Sequence, residues 1–324
     1  MSIRVADAAA IAEAARLLAA GELVAFPTET VYGLGARALD ATAIARIFAA
    51  KGRPATHPLI AHVADAAGAQ ALTTRWDARA ARLAARFWPG PLTLIVPRAP
   101  SVPAELSGGT PTVAVRAPAH PVAQALIRAL GEPIAAPSAN RYQTLSPTTA
   151  QHVVRSLGDA VPLVLDGGPC AAGLESTVLD LTVEPPCLLR PGALPLAELR
   201  REVPELQLAA AVIVDEAERH SPGQDAVHYA PRATLRLFSR ADALAAAVAQ
   251  GAGAALLVRG ALPPLPPTLR AIALPDDASA YGHGLFAALH TLDDAGVTFI
   301  AVEAPPDDEA WLAVADRLSR ASHR

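Results

Sequence analysis

The chain has 324 residues and 33.3 kDa, with 52% hydrophobic, 18% charged and 4% aromatic residues. That composition excludes a disordered, charge-rich polymer and leaves length for one large domain or two of ordinary size. The net charge of −4 and a pI near 6.1 disfavour a broad basic surface gripping nucleic-acid backbone. Among 27 Lys and Arg residues, Lys51 is the only lysine. Cys170 and Cys187 stand alone, without CxxC or Cys/His spacing, which predicts reduced, buried thiols and neither a zinc site nor a disulfide scaffold. No apolar run approaches the ~18 residues of a membrane helix and no cleavage-type signal is found, so a soluble, cytoplasmic protein without a membrane partner is expected.

Asp7 is a predicted cap for a helix whose Ile11, Ala14, Ala15, Leu17 and Leu18 recur at helical spacing, with Gly21 as its stop. A strand at 23–26 follows. Asp40 then caps a second helix with Ile44, Ile47 and Phe48 on one face, ending at Lys51-Gly52. Further strands are predicted at 59–63, 92–96, 112–116, 133–136, 163–165, 176–181 and 187–190. Helices are predicted near 77–88, 119–130 and 147–157, the last with Ser146 as N-cap and Pro147 at its first position. Some strands succeed one another without a helix between them, so the sheet is expected to be of mixed direction. The pattern breaks around 203–233. Beyond it, strands at 235–238, 254–258 and 297–302 and helices near 240–250, 279–295 and 308–321 predict a smaller α/β unit. The expected organisation is an α/β domain over 1–205, an interdomain linker over 206–233 and an accessory α/β domain over 234–324.

Three groups of residues could carry chemistry. Pro27-Thr28-Glu29-Thr30-Val31-Tyr32-Gly33-Leu34-Gly35 follows a buried-type strand, where α/β sheets bind ligands, although a tight turn with local caps accounts for it equally well. Lys51-Gly52-Arg53-Pro54 puts an ammonium and a forked guanidinium two residues apart, suited to a polyphosphate or a carboxylate; as cations ending a helix they also need no ligand. Pro137-Ser138-Ala139-Asn140, with Ser146-Pro147-Thr148-Thr149 downstream, joins a Ser/Asn loop to a helix start, which is either plain helix initiation or an anion site. There is no P-loop, no HExxH, no GxGxxG opening a helix and no GxSxG elbow. No covalent nucleophile stands out, so catalysis would rest on positioning and charge stabilisation.

In order, PTETVYGLG (27–35), KGRP (51–54), PSAN (137–140), SPTT (146–149), ESTV (175–178) and LRPG (189–192) resemble the threonylcarbamoyl-AMP synthase family, built on the YrdC-type domain. SPGQDAVHYAP (221–231) and AVADRLSRAS (313–322) extend the likeness to its long, two-domain form. The resemblance implies a YrdC-type twisted mixed sheet with flanking helices, then a smaller Rossmann-like C-terminal α/β domain. It implies a nucleotidyltransferase that forms L-threonylcarbamoyladenylate and pyrophosphate from L-threonine, bicarbonate and ATP, with Mg2+ accompanying the nucleotide and no protein-bound metal. The product would pass to a tRNA-modifying transferase complex for N6-threonylcarbamoylation of adenosine, with weak or no direct tRNA binding.

By the same resemblance Thr30, His62, Arg116 and Ser176 hold threonine. Arg53, His57, Ala136, Ser138, Ser146, Arg190 and Tyr229 hold the nucleotide, and Lys51, Arg53, Ser138 and Asn140 carry catalysis. Two alternatives share the fold. One is an RNA-binding module; the other is the carbamoyl-adenylate-forming domain of another carbamoyltransferase, whose zinc-finger-like cysteines this chain lacks. Two departures from the family pattern are the linker residues Gln224, Asp225 and Ala226, where Met, Lys and Tyr are usual, and Tyr142-Gln143 after SAN.

Overall fold

The computed structural model describes residues 2–209 and 228–323. In chain order its first part contains β1 (Ser2–Val5), α1 (Ala8–Ala19), β2 (Val24–Phe26), β3 (Gly33–Arg37), α2 (Ala41–Lys51), β4 (Ile60–His62), α3 (Ala66–Gln70), α4 (Ala78–Phe87), β5 (Leu92–Pro97) and β6 (Thr112–Arg116). There follow α5 (Pro121–Leu130), β7 (Ile134–Ala135), α6 (Ala150–Leu157), β8 (Leu163–Asp166), β9 (Thr177–Asp180), β10 (Cys187–Arg190), α7 (Leu196–Glu202) and β11 (Gln207–Leu208). The second part contains β12 (Thr234–Phe238), α8 (Arg240–Gln250), β13 (Ala254–Arg259), β14 (Arg270–Leu274), α9 (Ala278–Asp294), β15 (Phe299–Glu303) and α10 (Leu312–Ala321).

The first sheet has the order β1-β8-β2-β3-β7-β4-β6-β5-β9-β10-β11. It is mixed as expected: β4 pairs with β6 in parallel, whereas β5 and β6, β2 and β3, and β9 and β10 are antiparallel. The second sheet, β12-β15-β13-β14, is wholly parallel, the smaller Rossmann-like unit the sequence implied. Its strands carry near-continuous apolar runs such as Ala254–Val258, as sheets covered on both faces require.

Local rules explain most element ends. The Asp7 carboxylate accepts from the Ala10 amide, and that of Asp40 from Thr42 and Ala43, so both predicted caps are present. α2 stops at Gly52, whose φ of 64° is left-handed. One cap expectation is corrected. Ser146 does not start the helix; Thr149 accepts from the His152 amide and α6 begins at Ala150, while the Ser146 hydroxyl donates to the Glu175 carboxylate. The sequence also passed over β1, β3, α3, α7, β11 and β14. Of the expected linker, Gln207–Leu208 pairs with β10 at the edge of the first sheet. The Gln224, Asp225 and Ala226 departure lies outside the described residues.

The two parts share apolar surface. Val31, Leu145 and Leu174 of the first join Tyr229, Leu285, Phe286 and Leu289 in one cluster. α9 lies along this contact: His283 Nδ1 is 2.8 Å from the Ala171 carbonyl, His290 Nε2 is 3.0 Å from the Ser146 carbonyl, and His290 stacks on His152 with ring centroids 3.7 Å apart.

Candidate active site

The loops singled out from the sequence are tied to one another by backbone hydrogen bonds. The amide of Tyr32 donates to the Pro147 carbonyl, Leu34 to Pro137, and Ala139 to Tyr32, each at 2.8 Å. The 27–35, 137–140 and 146–149 segments are therefore one hydrogen-bonded unit at the ends of the central strands. His62 and Arg116 are the last residues of β4 and β6 and face each other in register. Arg190 ends β10, and Ser176 immediately precedes β9.

Together these residues line a cleft with two cationic poles. Its walls include Thr28, Thr30, Arg53, His62, Arg116, Ala136, Ser138, Glu175, Ser176, Arg190, His228 and Tyr229. At the first pole, Arg116 donates from Nη1 to Thr30 Oγ1 at 3.0 Å and from Nε to the Gly90 carbonyl at 3.2 Å. Its Nη2 lies 2.7 Å from Glu29 Oε1, an ion pair whose angles fall outside hydrogen-bond geometry. Part of the guanidinium fork thus remains able to grip a second carboxylate. Burial, the largest single influence, pushes the Glu29 carboxyl up, but the Arg116 charge and the hydrogen-bond donors around the group together outweigh it and hold it below its ordinary value. Burial, helped by Arg116, depresses His62 to about 3, so its imidazole is neutral at physiological pH.

At the second pole Arg190 donates from Nε and Nη2 to the Ser176 carbonyl, at 3.1 and 2.9 Å, and from Nη2 to Ser176 Oγ at 3.1 Å. Ser176 Oγ also lies 2.7 Å from Thr93 Oγ1, so the hydroxyl between the two poles is held on both sides. Arg53 donates to the Pro58 carbonyl at 3.1 Å. Burial and the surrounding cations Arg53, Lys51, Arg317 and Arg190 hold His228 neutral.

Of the residues expected in the site, Thr30, Arg53, His62, Arg116, Ala136, Ser138, Ser176, Arg190 and Tyr229 line this cleft. Lys51, His57, Asn140 and Ser146 are not among its lining residues. Lys51 is 3% exposed, and its ammonium donates to the carbonyls of Ser138 and Asn140, both at 2.5 Å. Burial and the nearby Arg53 lower its pKa well below the ordinary lysine value. Asn140 closes its own loop, its amide nitrogen donating to the Arg141 and Thr144 carbonyls at 2.8 and 2.9 Å. His57 packs edge-on against Tyr142, with centroids 5.5 Å apart. Sequence reasoning passed over Glu175 and His228 individually, although both lie inside quoted motifs.

A mixed sheet whose central loops converge on a cleft with paired cationic poles is the architecture of a YrdC-type two-domain protein. A family model described as telomere recombination, covering Sua5, YciO and YrdC proteins, matches residues 16–192. The model for the C-terminal domain of threonylcarbamoyl-AMP synthase matches residues 195–323. The chain is 42% identical to threonylcarbamoyl-AMP synthase of Pyrococcus abyssi, over 95% of this chain and 93% of that one. It is 39% identical to the protein of the same name from Bacillus subtilis, over 96% and 92%. The crystal structure of P. abyssi Sua5 complexed with L-threonine superposes with a TM-score of 0.89 at 41% identity, covering 96% of this chain and 94% of the other. The chain belongs to the threonylcarbamoyl-AMP synthase family.

Proposed function

We propose that this chain is an adenylate-forming nucleotidyltransferase that joins L-threonine, bicarbonate and ATP into L-threonylcarbamoyladenylate and pyrophosphate. The observation that carries the reading is the pairing of poles within one cleft, Arg116 with Thr30 and His62 on one side and Arg53 with Arg190 on the other, bridged by Ser176. Arg116 suits the threonine carboxylate, because a guanidinium binds carboxylate through paired N–H donors. Neutral His62 adds no positive charge against the threonine amine. Arg53 and Arg190 suit the phosphates.

In the first step the threonine amine takes up bicarbonate carbon, giving a carbamate and water. A carbamate oxygen then attacks the α-phosphorus, and the bond to the β-phosphate oxygen breaks to release pyrophosphate. The protein contributes alignment and fixed positive charge, without a covalent intermediate. Lys51 acts from behind the wall by holding the Ser138 and Asn140 carbonyls.

Mg2+ belongs to the substrate in this reading. Both Glu175 oxygens are engaged, by Ser146 and Arg317, and Glu29 faces Arg116. Among the described residues no group of three or more His, Cys, Asp or Glu side chains could hold a metal. The ion would be carried by phosphate oxygens and water, as is usual for Mg2+, and would offset the triphosphate charge. The adenylate passes to a tRNA-modifying transferase complex in the cytoplasm; no helix among the described residues is long and apolar enough to cross a membrane.

The test is incubation of the protein with ATP, Mg2+, bicarbonate and L-threonine, following pyrophosphate and the adenylate by mass spectrometry. Threonine-dependent formation of both products is expected. Threonine-independent pyrophosphate release, or none, would overturn the reading.

A further inference from the structure

The segment AVADRLSRAS at 313–322 has no part in the reaction as derived above, yet it contains the bulkiest fully buried side chain among the described residues, Arg317. From α10 of the second domain its guanidinium reaches three segments that border the cleft. Nε donates to Glu175 Oε2 at 2.8 Å, Nη1 donates to the Pro191 carbonyl at 3.0 Å, and the guanidinium carbon lies 4.9 Å from the centre of the Tyr229 ring. The other Glu175 oxygen accepts a hydrogen bond from the Ser146 hydroxyl. A buried ion pair contributes little net stability, because desolvation offsets most of the attraction. What it does supply is a fixed direction for each group it holds.

We propose that Arg317 is a positioning residue of the active site, through which the second domain orients Glu175, and through it Ser146, on the nucleotide side of the cleft. The proposal rests on the reading that this side takes ATP. It has a chemical consequence. A carboxylate only accepts, and Glu175, unlike Ser146, lines the cleft, so the lone pairs left on its oxygens are what this wall offers the nucleotide. The partner Glu175 can take from the nucleotide is a donor, a ribose hydroxyl or the adenine amine, and not a phosphate oxygen.

The experiment compares the wild-type chain, Arg317→Met, Arg317→Lys and the double variant Arg317→Met/Glu175→Gln. The double variant removes Arg317 and the Glu175 charge together, so no buried carboxylate is left without its partner as in the single one; Asp316, which also meets Arg317, keeps Arg320. KM is measured for ATP and for threonine, and inorganic tripolyphosphate serves as a competitor that has no nucleoside. In the double variant the ATP KM is expected to rise about tenfold, with the threonine KM and the tripolyphosphate inhibition constant within about twofold of wild type. Arg317→Lys is expected to fall between, since it keeps the charge and loses the fork. A loss of folded enzyme alone would lower the active fraction and leave every constant unchanged.

An unchanged ATP KM in the double variant overturns the proposal. So does parallel weakening toward ATP and tripolyphosphate, which would put the Arg317-held wall on phosphate. If the wild-type chain makes no threonine-dependent product, the synthase reading fails instead. Calorimetric titration with ATP and with tripolyphosphate then tests Arg317 by the same contrast.

Discussion

Two glycines on opposite sides of the domain contact should respond unequally to the same added methyl group. Gly173 has a φ of +72°, and a Cβ there would sit 2.3 Å from the His283 carbonyl oxygen of α9. A left-handed alanine costs about 1–2 kcal/mol. The overlap is with backbone, so no side-chain rotation relieves it, and overpacking of this kind costs about 1–3 kcal/mol more. Gly173→Ala is therefore expected to destabilise by about 2–5 kcal/mol in all. Because α9 also carries the contacts of His283 to Ala171 and of His290 to Ser146, the strain should loosen the contact as a unit. Gly282, on α9 itself, is different: its Cβ would meet Leu174 Cδ1 at 2.8 Å, the end of a flexible side chain. Replacing glycine by alanine inside a helix returns about 0.5–1 kcal/mol, so Gly282→Ala should stay within about 1 kcal/mol of wild type. Urea and thermal unfolding of both variants measure the contrast. Gly173→Ala within 1 kcal/mol of wild type, or Gly282→Ala as the worse of the two, would refute this account of the interface.

Two further outcomes are expected. His62 is 3% exposed and depressed to about 3 from 6.5, so its contribution is fully present above pH 6.5 and is lost as pH falls toward 3. At pH 5 that amounts to about 2 kcal/mol. His62→Gln should reduce the stability difference between pH 7.5 and pH 5 by about this amount in urea titrations, and an unchanged difference would count against a buried neutral imidazole. The exposed pair of Arg155 and Asp294 across the same contact, with side chains 48% and 39% accessible, should contribute under about 1 kcal/mol. Arg155→Ala should accordingly leave the thermal midpoint nearly unmoved.

The sequence was most legible where structure is local. Asp7, Asp40 and Gly52 announce element ends through their own backbone bonds, and the strands at 112–116 and 187–190 match the observed β6 and β10 residue for residue. β3 escaped notice because Gly33-Leu34-Gly35 has no alternation to read; pairing with β2, as in Ala25 opposite Leu34, makes it a strand. The Ser146 cap failed for a non-local reason. SPTT offers three hydroxyls, and the choice among them depends on Glu175, 29 positions away, which claims Ser146 and leaves Thr149 to cap. The cleft itself was legible because its residues fall in compact, ordered motifs. Arg317 was not, because no spacing within 313–322 reveals a carboxylate donated by another domain.

The burial of Lys51 makes the site observable. A chain grown with isotope-labelled lysine would carry a single labelled side chain, and it lies against the Ser138 and Asn140 carbonyls rather than in solvent. Its ε-methylene resonance would need no assignment, would follow the charge of the ammonium directly, and would shift when a ligand moves the loop it holds. Amine-directed reagents, by the same burial, should pass this lysine by in the folded chain and find it on unfolding, giving a covalent clock for opening of the 137–140 loop.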